Sequence, residues 1–131
     1  MALFAKDEGD TISAWDAIPR KPYRCLECNA LLNLRKSKRK FPHFYHVFRA
    51  TSCRLYRKSE KHFLIQYEIQ KRLPQGEAVL EKSFPVIGRI ADVVWEKKKI
   101  IFEIQRSFIS EKEVEERTFE YQSLGYALVW I

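Results

Sequence analysis

Residues 59–131 predict a mixed α/β sheet covered by helices, with elements in the order α-β-β-β-α-β. Three observations predict it. A helical apolar stripe is followed by three runs rich in β-branched and aromatic residues, separated by short turns. A capping box then opens a second helix. An apolar run closes the chain, and a strand that returns through a helix lies parallel to a neighbour by a right-handed crossover.

Ser59 is a good N-cap, and neither Pro nor Gly follows until Pro74. His62, Ile65, Ile69 and Leu73 fall on one helical face, with Gln66 beside it. Pro74-Gln75-Gly76 stops that helix. The strands are expected at 77–84, ended by Pro85, at 88–95, and at 99–105 after the charged turn Glu96 to Lys99. Ser110-Glu111-Lys112-Glu113 places Ser at N-cap and Glu at N3. The helix it opens runs to about Leu124, and Gly125 stands where a C-cap glycine belongs. Tyr126 to Ile131 reads as a buried strand.

Residues 1–58 read as a separate segment holding a metal knuckle and a basic module. Residues 2–5 could form a short strand, Asp7 to Asp10 a turn, and residues 11–22 have mixed character. Three cysteines, an odd number with no secretory signal ahead of them, argue against a disulfide framework and for metal binding. Cys25-Leu-Glu-Cys28 is a C-x2-C knuckle, and His43-Phe-Tyr-His46 follows after fourteen residues. Two thiolates and two imidazoles suit a tetrahedral zinc, with Cys53 as an alternative to His43. The His-x2-His spacing is too short for a helical finger, so a zinc-ribbon-like pair of hairpins is expected. Such a zinc would be structural, its ligand positions filled.

The formal net charge of +7 is unevenly spread. Residues 20–61 carry thirteen Lys and Arg against two acids, whereas residues 62–131 carry ten bases against eleven acids. A basic block of this kind favours polyanions, nucleic acid above all. Its densest run, Arg35, Lys36, Lys38, Arg39 and Lys40, lies between the two pairs of candidate ligands, where a loop is expected. No apolar run is long enough to span a membrane, and the N-terminus is too acidic for a secretory signal, so a cytoplasmic protein is expected.

Two acids interrupt apolar strands: Asp92 within Ile90-Ala-Asp-Val-Val-Trp95, and Glu103 within Ile100-Ile-Phe-Glu-Ile104. A carboxylate in such a strand is costly to bury unless paired or metal-bound. Consecutive strands joined by a short turn place the two side by side, and two hard oxygen ligands suit Mg²⁺ or Mn²⁺. Glu103 and Gln105 share a strand face. Arg117 and Tyr121 lie one helical turn apart, suited to phosphate or base contacts.

The run Arg89-Ile-Ala-Asp92-Val, with Glu103-Ile-Gln105-Arg-Ser107, Glu116-Arg117, Tyr121, Gly125 and Trp130-Ile131, resembles the nuclease-like domain of the competence protein CoiA family. That family falls in the PD-(D/E)xK, or restriction-endonuclease-like, superfamily. The resemblance covers residues 23–131, and Pro42-His43-Phe-Tyr-His46 resembles the His-Phe-x-His segment of its N-terminal region. What it implies is a restriction-endonuclease-like core and Mg²⁺- or Mn²⁺-dependent hydrolysis of DNA phosphodiesters, connected with uptake or recombination. Asp92 and Glu103 would hold the metal. Gln105 would occupy the position usually held by Lys and would orient the nucleophile without supplying charge. Lys71 or Arg89 could supply the missing cation, and Arg89 is expected as a further nucleic-acid contact. Glu60 and His62 open the first helix, where superfamily members often place another polar group, and Ser59 with His62 matches the family's Ser-x-x-His. A non-catalytic DNA-binding adaptor and a protein-interaction module are the rival readings.

Overall fold

Two units make up residues 1–131 of the computed structural model, Met1–Glu60 and Lys61–Ile131, and each has its own sheet. The first sheet is antiparallel, in the order β2-β1-β3-β4-β5, built from β1 (Phe4–Asp7), β2 (Asp10–Ser13), β3 (Tyr23–Arg24), β4 (Leu31–Arg35) and β5 (His43–His46). Glu8 and Gly9, at φ 49° and 93°, form the two-residue turn that joins β1 to β2 in the register Asp7↔Asp10. The expected first strand is thus shifted, and β2 falls in the stretch that read as mixed. A single turn of helix, α1 (Arg54–Arg57), follows. Leu3, Tyr23, Leu32, Phe44 and Leu55 are fully or almost fully buried and fill this unit.

The second unit has the expected order α-β-β-β-α-β. Helix α2 (Glu60–Arg72) precedes β6 (Ala78–Phe84), β7 (Arg89–Trp95) and β8 (Ile100–Glu103), and α3 (Glu111–Ser123) leads to β9 (Ala127–Trp130). The sheet order is β6-β7-β8-β9, antiparallel except for the parallel β8–β9 pair. Tight 3-10 turns join the first three strands, each closed by a left-handed residue, Gly88 or Lys99. Phe84, Val94, Ile101, Tyr121 and Tyr126 pack together as the core between sheet and α3.

Local signals explain both ends of α3. The Ser110 hydroxyl accepts from the Glu113 amide at 3.2 Å, which satisfies one orphan donor of the first turn. Glu113 does not return the bond, because its carboxylate is taken by Arg89 and Arg117. At the other end Tyr126 N–H donates to Tyr121 C=O and Gly125 N–H to Gln122 C=O, a Schellman motif that needs Gly125 at φ 85°.

In α2 the deepest face is His62, Phe63 and Gln66, with Ile65 and Ile69 only half-buried. The stripe is rotated toward the polar residues because the Gln66 amide donates to the main-chain carbonyl of Asp92 at 3.2 Å. β8 is shorter than the expected 99–105. Its end is set by Asp92, whose Oδ2 takes the Ile104 amide at 2.9 Å and so ends the ladder with β7.

Candidate metal centre and carboxylate site

The knuckle forms around the tight turn Cys25–Cys28, where Asn29 N–H donates to Cys25 C=O and Asn29 takes φ 59°. The sulfurs of Cys25, Cys28 and Cys53 and a ring nitrogen of His46 all lie within 4.8 Å of one another. Cys25 Sγ is 3.8 Å from Cys53 Sγ, and Cys28 Sγ is 3.3 Å from His46 Nε2. A tetrahedral zinc with Zn–S of about 2.3 Å spaces two thiolates roughly 3.8 Å apart, so the donor set fits that ion. The Cys3His cluster is consistent with a structural zinc.

Of the two expected fourth ligands, the cluster takes the alternative, Cys53, and leaves out His43. His43 is buried outside the cluster, with Nδ1 3.0 Å from Phe41 O and its ring edge-on to Phe41. His43 and His46 are three apart on one strand, so their side chains leave opposite faces and cannot converge on one ion. Cys53 closes the cluster instead, from the N-cap of α1. Glu27, inside the knuckle, fastens it to that helix by accepting from the Arg54 and Leu55 amides and from Arg54 Nε.

In the second unit, Val93 pairs with Phe102 and Val94 with Ile101, a register that sets Asp92 directly across from Glu103. Both carboxylates are almost fully buried. His62 Nε2 lies 3.0 Å from Asp92 Oδ1, and the Tyr121 hydroxyl donates to Glu103 Oε1 at 2.8 Å. On the far side of Glu103 the parallel ladder places Trp130. Burial, then the charge of Asp92, pushes Glu103 up to about 8, and the Tyr121 bond and the charge of Arg117 only partly oppose this. Burial, then the Glu103 charge, likewise raises Tyr121. Two such acids ionise together only beside a cation. Oxygen donors in a buried pair fit a hard divalent ion. The buried Oε1 of Gln66, which has no partner, leaves a spare acceptor next to Asp92.

The other expected site residues fall as follows. Gln105 continues the β9 pairing through its amide to Ile131 C=O, but its side chain turns to Ser107 O and Oγ at 2.6 and 3.1 Å. Tyr121, expected at the surface beside Arg117, is fully buried beneath Glu103. Arg89 is held by Glu120 at 2.6 Å and Glu113 at 2.8 Å. Lys71 is 72% exposed and pairs with Glu68. Glu60 pairs with Lys40. In the basic run Arg35 lies over the Tyr45 ring and Lys36 donates to Trp15 O, while Lys38 and Arg39 are exposed without an ion pair.

Sequence reasoning missed one buried acid, Glu81. It stands across from Asp92 between the pairs Leu80↔Val93 and Lys82↔Ala91, and the ladder skips it because its φ is 50°. A lone Glu in the apolar run Ala78-Val-Leu was the available signal.

The sequence profile described as "Competence protein CoiA, nuclease-like domain" matches residues 55–131, more than half of the chain. No curated protein and no solved structure matches the chain significantly.

Proposed function

The chain belongs to the competence protein CoiA nuclease-like family, and on that premise we propose that it is a metal-dependent nuclease that hydrolyses DNA phosphodiester bonds. The observation that carries the reading is the buried Asp92–Glu103 pair, two acids set directly across two apolar strands. A divalent ion, when bound there, supplies positive charge to a phosphoryl oxygen and acidifies water. Asp92 and Glu103 would hold it. Tyr121 fixes the rotamer of Glu103, while His62, Gln66 and the Ile104 amide fix Asp92. Gln105 would orient water once its amide leaves Ser107. Arg117 and the basic run of the first unit would contact phosphates, and the Cys3His cluster would carry a structural zinc.

Two measurements test this. The first is Mn²⁺-dependent cleavage of labelled single- and double-stranded DNA by wild type, Asp92→Asn and Glu103→Gln, with an EDTA control. Both variants should lose cleavage while keeping the fold. Equal cleavage by all three would place the activity elsewhere. The side chain of Gln105, neutral and bonded to Ser107, favours one rival, a DNA-binding adaptor that keeps the fold without the chemistry. DNA binding with no cleavage by wild type on any substrate would establish it. The second measurement is elemental analysis of protein purified without added metal. One zinc per chain is expected, falling sharply in Cys53→Ser and not in His43→Gln. An intact fold with almost no zinc would end the structural-zinc assignment.

A further inference from the structure

The core carries no lysine at the position where the resemblance leads one to look for a catalytic cation, and Gln105 is neutral. Three candidate cations lie in the unit. Lys71 points to solvent with Glu68, and Arg89 is consumed by Glu113 and Glu120. Arg117 differs from both. Its guanidinium sits over the Trp130 ring at 5.6 Å from the centroid, and Trp130 is the residue paired with Glu103 across β8 and β9. It is one turn of α3 from Tyr121, whose hydroxyl touches Glu103. Its Nε donates to Glu113 at 2.9 Å, and the two terminal nitrogens are further donors that an anion can use. Trp130 is held in turn by its Nε1–H to Thr118 Oγ1 at 3.3 Å.

We infer that Arg117 supplies, from helix α3, the positive charge at the scissile phosphate that the residue at position 105 does not. This rests on the nuclease reading above. In the step, the water oxygen forms the new bond to phosphorus and the bridging P–O bond breaks. One water proton passes to solvent, and the leaving oxygen takes a proton from solvent. Arg117 keeps its proton throughout and stabilises the extra charge on the non-bridging oxygens. An arginine suits the task because it stays charged in a half-buried site and bonds phosphate oxygens in pairs. The sheet-borne lysine of the superfamily pattern is thereby replaced by a helix-borne arginine stacked on the neighbouring strand.

The test is steady-state cleavage by wild type, Arg117→Gln, Arg117→Lys, Gln105→Lys and the double variant Arg117→Gln/Gln105→Lys, with DNA affinity measured separately without added divalent ion. Arg117→Gln should lower kcat by about a hundredfold or more, while DNA affinity falls by no more than the roughly tenfold that one lost phosphate contact costs. Arg117→Lys should keep much of the rate. Gln105→Lys should restore at least about tenfold of what Arg117→Gln loses, because either position can deliver the charge. An unchanged kcat, a loss confined to KM and affinity, or no restoration would each overturn the inference. If Arg117→Gln fails to fold, Gln105→Lys alone decides: a gain below about threefold supports a site already supplied with charge, and any larger gain overturns it. Wild type that cleaves nothing overturns the nuclease reading itself, an outcome separate from all of these.

Discussion

At the scale of single residues, the molecule is organised by acids that apolar strands bury. Asp92 and Glu103 were legible because each interrupts a run of Ile, Val and Phe, and because a short turn between two strands brings them level. Their supports were less legible. Whether Tyr121 faces inward is decided by the hydroxyl bond to Glu103, and α3, rich in charge and with Phe119 exposed, carries too weak an apolar stripe to reveal it. The ligand switch from His43 to Cys53 could have been read from strand alternation had β5 been recognised as a strand. Glu103 also gives a pH prediction. Burial first, then Asp92, raises its folded value from 4.5 to about 8. Between those values the folded protein keeps a proton that the unfolded chain has released, so stability falls as pH rises through that window. Without added magnesium or manganese, wild type should therefore lose more melting temperature between about pH 5 and about pH 8.5 than Glu103→Gln, which has no proton to hold there. Parallel profiles for the two proteins would show that Glu103 is ionised in the fold throughout. Added Mn²⁺ should flatten the wild-type profile, because a bound cation favours the ionised acid.

Among the elements, α3 does most to complete the site, since it brings Arg117 and Tyr121 over the strand that carries Glu103. Its boundaries were readable from Ser110 and Gly125, whose backbone roles depend on neighbours close in sequence. Its docking was not readable, because the contacts that fix it come from strands distant in the chain, β7 among them. Arg89 spans from the start of β7 to Glu113 and Glu120, and only 12% of its side chain is exposed. Burial alone would lower its affinity for a proton, but its hydrogen bonds to both acids outweigh that and raise it. Glu113 in turn holds Arg117, so under the role proposed for Arg117, Arg89 would act on the site through one intermediary. Both acids are about one-third exposed, so replacing Arg89 strands them only partly in the protein. Arg89→Gln should cost about 1–2 kcal/mol in denaturant unfolding, discounted for solvent screening. It should reduce cleavage through Arg117 and leave the salt dependence of DNA binding nearly unchanged. A full charge lost from that salt dependence would restore Arg89 as a phosphate contact.

On the scale of the whole chain, charge and chemistry are divided between the units. Met1–Glu60 carries thirteen bases against six acids, while Lys61–Ile131 carries eleven of each, so the formal excess of +7 lies entirely in the first. That asymmetry was plain in the sequence, because net charge needs no three-dimensional knowledge. Which of the bases are available for a ligand was not, because it depends on partners distant in the chain. Lys40 is matched by Glu60, Lys36 by a carbonyl of Trp15, and Arg35 by the face of Tyr45. Lys38 and Arg39 sit at the tip of the β4–β5 loop with no acid opposite. The loop springs from the Arg35↔His43 end of the strand pair, whereas His46, in the cysteine cluster, stands at the opposite end across from Leu32. Each phosphate that a base neutralises on a duplex releases close to one counterion, about 0.9 in the slope of log K against log salt. Lys38→Gln/Arg39→Gln should therefore reduce the slope for duplex DNA by about 1.8. Lys36→Gln and Lys40→Gln should each change it by less, since those amines already have partners. Binding isotherms at several salt concentrations measure this without any need for cleavage, so the result stands whether or not the acid pair is catalytic. A slope equal to wild type in the double variant would remove the loop from the nucleic-acid interface and leave the first unit's charge to other bases.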